Sequence, residues 1–154
     1  MDVLFDTNIY GKMAEEGDLG VVLVESLAKD RDFIIHNFKL VRDELRGAPK
    51  ILPIYDKLVR GKVILENNEI KNLARDFFEE YKRNGGVQGQ KKMMNDFKIV
   101  ACAVLNRFDL IVTEDQKTML NPLAIKAYRH VSLRKGMRSP TFFRYHELKR
   151  KYFS

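Results

Sequence analysis

A single cysteine, Cys102, has no partner for an internal disulfide, which removes the crosslinked secreted scaffolds from consideration. The three histidines, His36, His130 and His146, fall at no zinc-ligand spacing, so they and Cys102 read as structural groups. No apolar run approaches the roughly 18 residues that span a bilayer. The opening Met-Asp-Val-Leu-Phe-Asp puts an acid where a signal peptide needs Lys or Arg. Prolines number four and glycines nine, scattered rather than tandem, with no repeat, low-complexity tract or long linker. A cytoplasmic protein with no membrane partner is the expectation.

What is present is ordinary for a globular domain: 154 residues, 45% hydrophobic and 32% charged, enough to bury a core and too apolar for disorder. The net charge of +7 is unevenly placed. Residues 1–125 carry 19 Lys and Arg against 20 Asp and Glu, whereas residues 126–154 carry 9 against the single acid Glu147. Such asymmetry suits a polyanion, nucleic acid first and an acidic membrane surface second, or else a solvated basic tail. The organisation expected is one domain over 1–154 with a basic C-terminal extension at about 121–154.

Four continuous apolar runs predict buried strands: Val3-Leu4-Phe5, Phe33-Ile34-Ile35, Val63-Ile64-Leu65 and Leu110-Ile111-Val112. Amphipathic stretches at about 18–30, 38–46, 67–83 and 92–107 predict helices, with a shorter one from Ile51 to Arg60 and another from Asn121-Pro122 to about Lys135. Thr141 to Tyr145 predicts a short last strand, and Gly85 to Gln90 the most flexible loop. Strands alternating with helices predict an α/β sandwich on a mainly parallel sheet of four to five strands.

The carboxylates are placed suggestively on this plan. Asp6 directly follows the first strand and Asp115 lies three residues past the fourth, where open parallel sheets bind ligands. The plainer reading is that Asp6-Thr7-Asn8 caps a helix beginning at Ile9. On a wheel of the 92–107 helix, Asp96 falls between Ala103 and Val100, inside the apolar arc. A carboxylate there costs several kcal/mol unless it is paired or coordinates metal, so a buried Lys or Arg is the competing explanation. In the 38–46 helix Glu44 lies about 90° from the face formed by Phe38, Val41 and Leu45, while Asp43 points away. Glu44 either reaches the sheet edge or pairs with Arg42 or Arg46. Acids gathered in one crevice repel one another unless cations intervene, and an oxygen-rich site suits Mg²⁺ or Mn²⁺.

The order strand–Asp6-Thr7-Asn8, helical Glu44, helical Asp96 and strand–Thr113-Glu114-Asp115 resembles the PIN-domain nucleases over roughly residues 1–115. The resemblance implies a PIN-like three-layer α/β/α fold and a metal-dependent endoribonuclease, in a family that includes VapC-type toxins of toxin–antitoxin pairs and RNA-processing ribonucleases. It implies Asp6, Glu44, Asp96 and Asp115 as metal-binding catalytic acids, supported by Asn8 and Thr113, with Glu114 as a substitute or addition to Asp115 and Asn95 assisting Asp96. RNA is the implied partner, with an antitoxin protein and a second copy of the chain as further candidates; the apolar residues near Val21 to Leu27 serve either a dimer or the core.

The chain continues about forty residues beyond Asp115, which favours an RNA-processing enzyme over a compact toxin. Its end mixes cations with rings, and Arg144, Lys149, Arg150 and Lys151 are RNA-binding candidates there. The alternative is that Phe142, Phe143 and Tyr145 complete the core. Lys91 and Lys92 are candidate phosphate guides beside Asp96, or simply solvated. Two rival classes remain. A receiver domain needs a Lys after its last central strand and leaves Glu44 and Asp96 unexplained, and a haloacid-dehalogenase-like phosphatase wants Asp where Asn8 stands. The other rival is a catalytically silent binding module that has lost its metal ligands, whereas all four acids are present here.

Overall fold

A computed structural model describes residues 1–153. The chain runs β1 (Asp2–Phe5), α1 (Thr7–Glu15), α2 (Asp18–Lys29), β2 (Ile34–Phe38), α3 (Lys39–Leu45), α4 (Leu52–Leu58), β3 (Val59–Ile64), α5 (Asn68–Arg83), α6 (Gln90–Leu105), β4 (Leu110–Val112), α7 (Pro122–Arg134), β5 (Thr141–Phe143) and α8 (Tyr145–Tyr152). The five strands form one sheet in the order β3-β2-β1-β4-β5, and every pairing is parallel. Helices α5, α6 and α7 pack together, as do α1, α2, α4 and α8. Right-handed crossovers put the two groups on opposite faces, which makes a three-layer α/β/α sandwich.

The central strands are apolar without alternation because both faces are covered. Val3, Leu4 and Phe5 of β1 and all of β4 are buried, and each such side chain contributes roughly 1.5–3 kcal/mol of burial free energy. Beneath them Phe77, Phe97 and Tyr128 join α5, α6 and α7 edge to face, with ring centroids 5.2 to 6.4 Å apart. The chain moves leftward from β1 to β3, then returns to add β4 and β5 on the other side of β1. The order in which strands are added therefore reverses between β1 and β4, and this is the position where α/β folds open a crevice.

Several element boundaries differ from expectation. The third strand covers Val59–Ile64 rather than Val63–Leu65, and the preceding helix stops at Leu58. As an edge strand with exposed Gly61, Lys62 and Val63, it carries too little apolar signal to be read from sequence. The last strand ends at Phe143, and Tyr145, expected in it, opens α8. That helix went unexpected because its cations hide two buried residues, Tyr145 and Leu148. The segment at 121–154 supplies α7, the sheet edge β5 and α8. Among the described residues no helix is long and apolar enough to cross a membrane.

The loop from Gly85 to Gln90 is fastened rather than loose. Tyr81 is buried beneath it, its carbonyl accepting from the Gly86 N–H at 2.9 Å and its hydroxyl from the Gln88 N–H at 3.1 Å. A β-carbon on Gly86 would lie 2.3 Å from the Tyr81 ring, which is held by its neighbours Phe78 and Phe97. Gly86→Ala should therefore destabilise the protein by about 1–3 kcal/mol, seen as a lower urea midpoint. An unchanged midpoint would mean that this loop yields freely.

Candidate active site

The crevice at the β1–β4 junction is built from strand ends and two helices. β1 delivers Asp6, whose N–H donates to the Val112 carbonyl of β4 at 2.9 Å. Asp6 also caps α1, its Oδ1 accepting from the Thr7 N–H at 2.8 Å, so the capping role expected of it is real. Its other oxygen accepts from the Thr113 hydroxyl at 2.7 Å. Past β4, the Thr113 hydroxyl oxygen accepts from the Asp115 N–H at 3.1 Å. Asp115 Oδ1 accepts from the N–H groups of Lys117 and Thr118 at 3.1 and 3.0 Å, fixing the turn.

Threonines tie the four acids into a chain. Thr7 bridges Asp6 and Glu44, since its hydroxyl donates to Glu44 Oε1 at 3.0 Å. Thr113 links Asp6 to Asp115, and the Thr118 hydroxyl touches both Asp115 and Asp96. A hydroxyl has one proton and can donate to one carboxylate only, so the second contact requires a proton on an acid. The acid strengths identify which one. Burial first, then the charges of Asp6 and Asp115, push Asp96 up to about 8 against the opposing Thr118 hydrogen bond. Asp115 lies below the usual carboxylate range: burial raises it, but the Thr118 hydroxyl and the turn amides outweigh that effect. Asp96 is thus the weaker acid of the two, the one on which that proton is favoured.

The same crowding acts on the other two acids. Asp6 is raised, chiefly by burial and also by Asp115, despite its bonds to Thr113 and Thr7. Glu44, an exposed residue, is raised by partial desolvation first and then by the charge of Asp6, against its hydrogen bond from Thr7. Among the described residues no Lys, Arg or His makes an ion pair with any of the four. The Arg side chains beside Glu44 are engaged elsewhere, Arg42 with Asp56 and Arg46 with Asp43.

The donor chemistry fits a hard divalent cation, being all oxygen and lacking a positive partner. The acids nevertheless stand as linked pairs. Among the described residues no three carboxylate, imidazole or thiol groups close on a single point, and Thr118 occupies the gap between Asp96 and Asp115.

The remaining candidates are distributed unevenly. Asn8 accepts from the Glu114 N–H at 3.3 Å, joining α1 to the end of β4. Glu114 turns away from Asp115 to Arg144, 2.8 Å distant, and accepts from the Tyr145 N–H at 2.6 Å. Asn95 is exposed and makes no side-chain hydrogen bond among those described. Lys149 is bound to Glu16 at 2.7 Å, and Lys151 lies over the Phe33 ring at 5.8 Å, while Arg150, Lys91 and Lys92 are exposed. Sequence reasoning missed the Thr118 contact. Its one local signal is position, three residues after Asp115, where a hydroxyl can return to the acid that caps its own N–H.

The crevice and sheet together define a parallel α/β/α sandwich with an acidic site at its switch point, the PIN-like architecture that the sequence resemblance implied. A chain in a crystal structure of VapBC2 from Rickettsia felis bound to a DNA fragment from their promoter has a similar fold, with a TM-score of 0.59 at 17% identity. The match covers 94% of this chain and 98% of that one. No protein-family model matches the sequence, and no curated protein sequence does.

The Asp96 carboxyl makes stability depend on pH. Its pKa is about 8 in the folded chain against ~3.9 when unfolded. Between these values the native state binds more protons, so stability falls as pH rises from about 4 to 8. Asp96→Asn removes the penalty while keeping an uncharged donor and acceptor beside Thr118. In metal-free buffer at pH 8 it should stabilise the fold by at most about 5 kcal/mol, at ~1.4 kcal/mol for each unit between the two values, and flatten the pH dependence. A variant less stable than the parent at pH 8 would contradict this account.

Proposed function

We propose that this chain is a metal-dependent endoribonuclease that hydrolyses RNA phosphodiester bonds, with Asp6, Glu44, Asp96 and Asp115 as its metal-holding catalytic acids and Mg²⁺ or Mn²⁺ as cofactor. The observation that carries the reading is four acids joined through Thr7, Thr113 and Thr118 at the ends of β1 and β4, with no cation paired to them among the described residues. Elsewhere the fold pairs its buried acid: Glu80 is held by Arg83 and Arg134 at 2.8 and 2.7 Å. Uncompensated charge at one place, at the expense of stability, is characteristic of a functional site.

Asp6, Glu44, Asp96 and Asp115 would hold the divalent ion, which when bound would supply Lewis-acid stabilisation of the scissile phosphate and a lowered pKa for water. The chain's own groups set the geometry. Thr113 and the Thr7 N–H orient both oxygens of Asp6, and Thr7 holds Glu44 at the rim. Thr118 sets the spacing of Asp96 and Asp115, the supporting role that keeps ligands aimed. Asn8 ties the Asp115 turn to α1 through the Glu114 amide. With water as nucleophile the product carries a 5′ phosphate and the ribose 2′-hydroxyl takes no part.

A protein partner belongs to the same reading. Leu19, Val21 and Val22 of α2 are about half exposed or more, which supports either an antitoxin or a second copy of the chain. An intracellular, cytoplasmic setting accords with an RNA substrate.

Cleavage of a labelled structured RNA tests the proposal. The expected result is cleavage with Mn²⁺ or Mg²⁺, none with EDTA, and a loss of at least ~100-fold in Asp6→Asn and Asp96→Asn. No cleavage, together with no Mn²⁺ binding by calorimetry, would instead favour a silent RNA- or protein-binding module.

A further inference from the structure

Two segments of the chain diverge where β4 and β5 end. The Thr113 N–H donates to the Phe143 carbonyl at 3.0 Å; beyond it one segment turns through Asp115 and the other opens α8 at Tyr145. The Glu114 carboxylate spans the gap between them. Its Oε2 accepts from the Arg144 guanidinium at 2.8 Å and its Oε1 from the Tyr145 N–H at 2.6 Å. Both oxygens are engaged, and the side chain is only 16% exposed.

The two sides of this bridge differ in how well they are held without it. Helix α8 has its own capping carboxylate, Glu147, which accepts from the Arg144 N–H at 3.0 Å, and it buries Tyr145 and Leu148. Further along, Lys149 and Tyr152 fasten it to Glu16 and Asp30. The acidic turn has less support. Among the described residues the Asp115 carboxylate accepts only from Lys117 and Thr118, within its own turn. Its place in the crevice is therefore only as fixed as the segment that carries it.

That segment is gripped one residue earlier. Asn8 takes the Glu114 N–H at 3.3 Å, and the β5–α8 corner takes both carboxylate oxygens. Glu114 and Asp115 share one planar peptide, so fixing the first at its amide and its side chain directs the second. To serve as a metal ligand Glu114 would have to give up an ion pair and the first amide of α8, a donor that has no partner within the helix.

We propose that Glu114 and Arg144 are positioning residues, which make the β5–α8 corner the anchor that aims Asp115 into the acidic crevice. The inference rests on the nuclease reading for Asp115 as a metal ligand; the anchoring itself does not depend on it. Arg144 thereby acts through Glu114 and not by contacting RNA, and Glu114 serves Asp115 without joining it on the metal.

Amide hydrogen exchange of the metal-free protein reads the turn directly. Two variants break the bridge: Glu114→Gln, whose amide nitrogen must face one of the two donors, and Arg144→Met, which removes the guanidinium. In both, the Lys117 and Thr118 amides should exchange roughly tenfold faster. The amides of α5 should change less, and Tyr152→Phe, which frees the other end of α8, should leave the turn as it is. Calorimetry with Mn²⁺ adds the consequence for the site. Each bridge variant should bind about 10- to 100-fold more weakly, and the double variant no more weakly than the weaker single. Unchanged exchange at Lys117 and Thr118 overturns the proposal, as does an acceleration spread equally over α5, which marks a merely structural role. Tighter Mn²⁺ binding in Arg144→Met also overturns it, because a freed Glu114 would then be acting as a ligand. A parent that binds no Mn²⁺ refutes the nuclease reading, and the exchange result alone then decides whether the corner positions the turn.

Discussion

Like charges forced together at the junction of β1 and β4 are the constraint on which the rest of this structure depends. Asp96 feels the charges of Asp6 and Asp115, Asp6 feels that of Asp115, and burial removes the water that would screen them. Threonine hydroxyls, not cations, hold the group in place, and Asp96 retains a proton that an exposed aspartate would lose. No positive partner offsets this crowding among the described residues, and a cation placed there would favour the ionised form of each acid.

The contrast with the remaining acids sharpens the point. Glu80 is as buried as Asp6, yet Arg83, Arg134 and His130 surround it, and the cluster joins α5 to α7. Glu114 sits next to Asp115 in sequence and faces the other way, binding Arg144 and the amide that opens α8. Its carboxylate thereby connects the acidic turn to the C-terminal helix. In the basic C-terminal fifth, Arg134 pairs with Glu80, Lys135 with Asp76, Arg138 with Asp109, Arg144 with Glu114 and Lys149 with Glu16, so much of its charge is internal to the fold.

Much of this plan was legible in the residues. Three-residue apolar runs marked β1 and β4, so the acids that follow them could be assigned to strand ends. Asp96 stood out because helical periodicity put it among apolar neighbours, and Glu44 because the adjacent Asp43 pointed the other way. The loop before α6 read as mobile from its glycines, although Gly86 is there to let the chain pass against the Tyr81 ring. Strand β3 and helix α8 lacked the periodic signal because each buries little.

By itself the sequence determined the alternation of strands and helices, the parallel sheet and the ends at which the acids emerge, because those follow from local periodicity and from burial on two faces. Tertiary structure alone decided which charges are paired. Thr118 meets Asp96 across 22 positions, Arg144 meets Glu114 across 30, and Lys149 meets Glu16 across 133. Pairing depends on distance through space, and composition cannot distinguish a lysine bound to a glutamate from one left free beside a crevice.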